Sequence, residues 1–167
     1  MPPTRVTATG VSHVELTVRH LGRSLQFYRD QLGLRVLQEG SSEQAFPNSG
    51  KLRIYERPSR DFRFALLHYS PEPTPFGLSA APTIILLSPI GAPPSGTSVK
   101  VDQIGITHIG LWVHGLDELY DDLRDRGVTF LEPPHTFMTL PHGTLRSAFA
   151  QDPDGIIIQL DELVSAQ

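Results

Sequence analysis

Val11-Ser12-His13-Val14-Glu15-Leu16-Thr17-Val18 recurs 95 positions later as Ile106-Thr107-His108-Ile109-Gly110-Leu111-Trp112-Val113. In both copies the aliphatic residues alternate, at 14, 16 and 18 and again at 109, 111 and 113. That period of two marks a half-buried strand. Each His therefore falls on the face opposite the aliphatic stripe, with Glu15 beside the first and Trp112 beside the second. Each strand runs into helical spacing. Leu21, Leu25, Tyr28 and Leu32 form one apolar face, with Gly33 as the stop. Leu116, Leu119, Tyr120 and Leu123 form the other, with Gly127 as the stop. The chain is a duplicated module.

Outward from these strands, module one continues through Arg35 to Glu39, a polar stretch, Leu52 to Tyr55, Phe62 to Tyr69, and Thr83 to Leu87. Seven of the chain's fifteen prolines lie between Pro71 and Pro94, which predicts a loop before the last strand and a linker after it. Module two reads as a strand at Thr129 to Leu131 and a Pro- and His-rich loop over 133–143. Leu145 to Ala150 follows, then the turn Asp152-Pro153-Asp154-Gly155 and a last strand from Ile156 to Leu160. The order β-α-β-β-β occurs twice, so the expected class is α+β. The modules span 9–88 and 104–163, joined by a Pro/Gly-rich linker at 89–103, and together form one domain. His20, His114 and His135 fall in predicted turns.

Composition removes several function classes. The 167 residues hold 14 Lys and Arg against 18 Asp and Glu, a net charge of −4 with no basic run, so a nucleic-acid partner is not expected. No cysteine is present, which excludes disulfides and thiolate chemistry. Neither a signal-type nor a membrane-spanning apolar run occurs, and a cytoplasmic protein, monomer or homodimer, is expected. The glycine spacing from Gly91 to Ser98 mimics a phosphate loop, but it lacks the Lys and its prolines remove backbone donors. No Gly-x-Ser-x-Gly elbow is present.

The element order, the first-strand histidines and the Asp-Pro-Asp-Gly turn before the last strand together resemble the vicinal oxygen chelate superfamily. That group includes glyoxalase I, methylmalonyl-CoA epimerase, extradiol dioxygenases and the bleomycin and fosfomycin resistance proteins. The resemblance covers residues 9 to 163 and implies two modules whose sheets curl into a cup. It assigns His13, His108 and Gln159 as metal ligands, Gln159 standing where Glu is usual. The matching place in module one falls near Ile85 or Leu86, neither of which binds metal. Two imidazoles suit Fe, Mn, Co, Ni or Zn.

The run His142, Phe149, Asp152-Pro153-Asp154-Gly155, Gln159 also resembles the extradiol signature, with Phe in place of Tyr and Gln in place of Glu. Neither replacement supplies the chemistry of the original. The resemblance makes His68 and His142 candidate catalytic residues. Glu15 shares the face of His13 and is a candidate general base, substitute ligand or partner for Arg63. Trp112, Phe149 and Arg63 are the candidate substrate contacts. The implied function is a metal-assisted dioxygenase-, lyase- or isomerase-like enzyme on a small aromatic or polyoxygenated molecule. The competing readings on the same scaffold need no metal: a ligand-sequestering resistance protein, or a cyclase or epimerase.

Overall fold

A computed structural model describes residues 11–42, 61–69, 82–91 and 93–165. The strand expected at Leu52–Tyr55 lies outside the described residues. Strand β1 (His13–Thr17) leads to helix α1 (Leu21–Leu25), which widens into a π-helical stretch over Gln26–Gln31. Strands β2 (Arg35–Ser41), β3 (Phe62–His68) and β4 (Thr83–Pro89) follow. Module two repeats the order with β5 (His108–Trp112), α2 (Leu116–Asp125), β6 (Thr129–Leu140), β7 (Gly143–Gln151) and β8 (Ile157–Ser165). Gly33, Gly127 and Gly155 all take positive φ (77°, 83° and 82°), which is why glycine punctuates the chain at these points.

Each module makes one four-stranded sheet, in the orders β1-β4-β3-β2 and β5-β8-β7-β6. The first and last strands of a module pair in parallel, and the other pairs are antiparallel. This is the α+β duplicated architecture that the pattern implied. One face of each sheet is covered by its helix, and the other faces the cup. Because register fixes faces, Leu16, Ile84, Leu86, Ala65 and Leu67 point to α1, whereas His13, Glu15, Ile85 and Leu87 point the other way.

The two modules share one core. Leu16, Tyr28, Ile84 and Leu86 of the first belong to the same buried cluster as Leu111, Leu123, Ile158 and Leu160 of the second. Polar locks reinforce this junction. The buried Tyr28 hydroxyl donates to Asp152 Oδ2 at 3.0 Å, and Asp152 Oδ1 accepts the N–H groups of Asp154 and Ile156, each at 2.8 Å. Arg19 donates to Asp154 Oδ1 at 2.9 Å and to the Gly96 carbonyl at 2.7 Å. The Asp-Pro-Asp-Gly turn is thus the clasp between modules. Burial pushes the Asp152 carboxyl above its ordinary value, against the pull of its three hydrogen bonds.

Module two departs from the sequence expectation in one place. The loop expected over 133–143 is strand: β6 runs twelve residues through Pro133 and Pro134, and the connection to β7 is only Pro141-His142. Prolines survive there because β6 is an edge strand whose register shifts between Glu132 and His135. No helix among the described residues is long and apolar enough to cross a membrane.

Candidate functional site

Strand alternation places His13 and His108 on the helix-free faces of β1 and β5. Each is held by the residue before it. Ser12 Oγ lies 3.0 Å from His13 Nδ1, and Thr107 Oγ1 lies 2.9 Å from His108 Nδ1. In both copies the hydroxyl occupies one ring nitrogen and leaves Nε2 without a hydrogen-bond partner among the described residues. Strands β1 and β5 are sheet edges, and residues 14–17 and 106–109 line one cavity of about 260 Å³ between them. Glu15 and His108 both stand on its wall.

Gln159 pairs with Gly110, so its side chain shares the face of His108. It is 7% exposed, which makes its polar atoms worth accounting for. Its Nε2 donates to Asp161 Oδ1 at 2.8 Å and to Ser147 Oγ at 3.3 Å. An ionised carboxylate only accepts, so the amide nitrogen must face Asp161. Oε1 is left without a protein partner among the described residues. In module one the register places Ile85 opposite Glu15, as Gln159 is opposite Gly110. Ile85 is therefore the position that matches Gln159, and it offers no donor.

By donor type, two imidazole Nε2 atoms and one orphaned, buried amide oxygen make a neutral set of the kind a divalent cation accepts; His108 lines the cavity between β1 and β5, whereas His13 and Gln159 do not. Among the described residues no three His, Asp or Glu side chains gather as a metal cluster, so any such site relies on the amide. Neutral donors of this kind suit late first-row ions better than Mg or Ca.

A cluster of rings continues the site across β7 and β6. Phe149 lies 6.3 Å from His108 in edge-on contact and 6.1 Å from His135 in a stacked one. Phe137 closes the group, 6.3 Å from Phe149 and 6.4 Å from His135. His135 was expected in a surface turn; it lies within β6 opposite Ser147 instead, because the strand runs on past the two prolines. Its Nδ1 is 2.9 Å from the Pro133 carbonyl, an acceptor, so Nδ1 carries the proton and Nε2 is a lone-pair donor. Its signal in the sequence was the two-residue step from His135 to Phe137.

The remaining candidates divide. Trp112 pairs with Asp161 on the helix-free face and is 38% exposed. Glu15 is exposed on the same face of β1 as His13, so its carboxylate carries no burial cost. His68 also faces the helix-free side but sits two strands from β1, about 10 Å across the sheet, with Nδ1 2.6 Å from the Tyr69 carbonyl. Burial pushes the neighbouring Tyr69 phenol up to about 12. Two assignments fail on geometry. Arg63 pairs with Ser41 and Ser88 on the helix side and lines a shallow pocket with Leu21 and Leu25, so it reaches neither Glu15 nor the cup. His142 sits in the exposed hairpin turn, seven residues up the strand from Phe149 and about 23 Å along it.

Comparison with known proteins bears on the family and the fold. The family described as Glyoxalase/Bleomycin resistance protein/Dioxygenase superfamily matches residues 10–160. A probable lactoylglutathione lyase of Synechocystis is 30% identical over 148 residues, covering 89% of this chain and 91% of that protein. A glyoxalase family protein of Bacillus cereus superposes with a TM-score of 0.70 at 18% identity, covering 99% of both chains. The trypanothione-dependent glyoxalase I of Leishmania major gives 0.56 at 24% identity, over 92% of this chain and 86% of that one. At these identities the two structural likenesses speak for the fold alone.

Proposed function

The chain belongs to the Glyoxalase/Bleomycin resistance protein/Dioxygenase superfamily, and from that premise we propose that it is a metal-assisted lyase or isomerase. Its substrate is a small molecule that presents adjacent oxygens next to a planar group. The observation that carries this reading is the orphaned Gln159 Oε1, buried on the sheet face that also holds His108, while His13 occupies the matching place on the first sheet. His13, His108 and Gln159 hold the cation, of the Fe, Mn, Co, Ni or Zn kind. When bound, it acts as a Lewis acid on the substrate oxygens and acidifies a neighbouring C–H or O–H. Glu15, exposed on the cavity wall with His108, takes the proton. The ring cluster of Phe149, His135 and Phe137 receives the planar group, and the Synechocystis relative supports lyase chemistry over the other reactions of the family. Ring-cleaving oxygenation fits poorly, because Phe149 offers no phenolic hydroxyl to a bound catechol.

A second reading, sequestration of a flat ligand without turnover, is favoured by one observation: the ring cluster needs no metal. The deciding experiment loads metal-stripped protein with each of the five ions and measures stoichiometry in the native chain and in His108→Ala. One ion per chain, lost in the variant, is expected. A native chain that retains no ion at stoichiometric level refutes the metal-assisted reading in favour of sequestration.

A further inference from the structure

We propose that the negative charge absent from position 159 is held at Asp161 and delivered to the site through the Gln159 amide, so that Asp161 is a positioning residue for the cation. The inference rests on the reading that His13, His108 and Gln159 hold a divalent ion, and it explains why an amide stands at 159. Residues 159 and 161 are two apart on β8 and share its helix-free face. One oxygen of Asp161, Oδ1, accepts both the Gln159 amide at 2.8 Å and the Ser147 hydroxyl at 2.5 Å. Ser147 is fully buried on the neighbouring strand, so the carboxylate is pinned from β7 while it pins the amide on β8.

Space for this carboxylate comes from β5. A Cβ added at Gly110 would stand 3.3 Å from Asp161 Oδ2. The matching position in module one carries Glu15, so the two halves of the repeat put their carboxylates on different strands. An amide whose N–H donates to a carboxylate carries more negative charge on its oxygen. Outer partners of this type raise the donor strength of a ligand and fix its orientation. With Nε2 engaged by Asp161 and Ser147, Oε1 is the polar atom that Gln159 has left to offer a ligand.

The pair also sets what 159 can be. A Glu there would place a carboxylate oxygen where Nε2 now stands, 2.8 Å from Asp161 Oδ1, and two like charges at that spacing repel strongly. One carboxylate per pair is the rule, whichever position holds it. Restoring a Glu at 159 alone is therefore not expected to tighten binding, whereas exchanging the two residue types is.

The test titrates the metal-free full chain with Co(II), read by calorimetry and by the visible Co(II) absorption bands. It compares the native protein, Asp161→Asn, Gln159→Glu, and the double variant. Asp161→Asn keeps shape and an acceptor oxygen but removes the charge. It is expected to weaken Co(II) by about tenfold and shift the bands, the usual scale for outer-shell partners. Gln159→Glu alone should bind no tighter than native. The double variant should recover native affinity or exceed it. Ser147→Ala, which loosens Asp161 without changing charge, should cost a few-fold and guards against a folding defect in the other variants. Native-like binding by Asp161→Asn, or a Gln159→Glu variant tighter than the double, overturns this inference while leaving the cation site standing. A native chain that binds neither Co(II) nor any of the other four ions overturns both.

Discussion

Replacing Tyr28 with Phe removes one hydroxyl from the clasp that joins the modules, and its cost follows from the geometry. Tyr28 is fully buried and Asp152 is 5% exposed, so water does not replace the lost donor. Among the described residues the hydroxyl is the sole partner of Asp152 Oδ2, at 3.0 Å, while Oδ1 keeps two backbone N–H donors. A hydrogen bond to a charged group contributes roughly 1.5–3 kcal/mol, and a stranded buried acceptor costs about 1–3. Since Oδ1 stays satisfied, the charge is only half stripped, and a loss of about 2 kcal/mol is expected. For a chain of this size that lowers Tm by about 4–8 °C. Urea unfolding should show a lower midpoint with an unchanged slope, because the same surface is exposed on unfolding. A loss under about 0.5 kcal/mol would refute the clasp as an energetic link and leave Tyr28 as packing alone.

Alkaline stability gives a second check. Burial holds the Tyr28 phenol well above its ordinary value, and the Tyr69 phenol is pushed up to about 12. The folded chain keeps protons that the unfolded one releases. This contribution is complete below the ordinary phenol value of about 10 and is lost as pH rises from there through the folded values. Stability should fall above that pH, and less steeply in Tyr28→Phe, as urea midpoints across the range would show. Truncating Phe149 to Ala should lower affinity for a planar ligand by about 1–3 kcal/mol with the circular dichroism unchanged; a melted fold would move the ring into the core. Trp112→Ala, on the same sheet face at β5, should have the same signature. Glu15→Gln should abolish turnover while preserving the fold and cation binding, since it keeps shape and removes basicity. Full activity in steady-state assays would pass the role of base to His135 or His68.

The doubled strand, the helices with their glycine stops and the element order were legible because each rests on a local rule of period or punctuation. β6 was not, because Pro133, Pro134 and two nearby histidines read as a loop until the edge position and the shifted register of that strand are known. His135 was lost with it. Arg63 was misread for another reason: β3 is apolar on both faces, with Phe62, Phe64 and Leu66 alternating against Ala65 and Leu67. Its pattern cannot say which set meets the helix. Gln159 stood out through the turn before it, whereas Asp161 acquires meaning only from a hydrogen bond across two strands. His142 kept its motif spacing but lies at the end of a hairpin that no spacing rule measures.

The unequal fate of the two halves gives the cup a direction. A cup with true two-fold symmetry would accept a ligand equally well either way round. Here one arm offers Ile85 beside a carboxylate at Glu15, and the other offers an amide at Gln159 beside bare backbone at Gly110. A molecule laid across the axis meets apolar surface and a proton acceptor on one side, and an amide oxygen backed by the Asp161 carboxylate on the other. The two orientations differ in energy, and the two faces of a prochiral centre meet different groups. A cup built of L-residues is chiral with or without its axis, so decay of the internal symmetry adds direction: an unsymmetrical ligand is held one way round where an intact duplicate would hold it both ways.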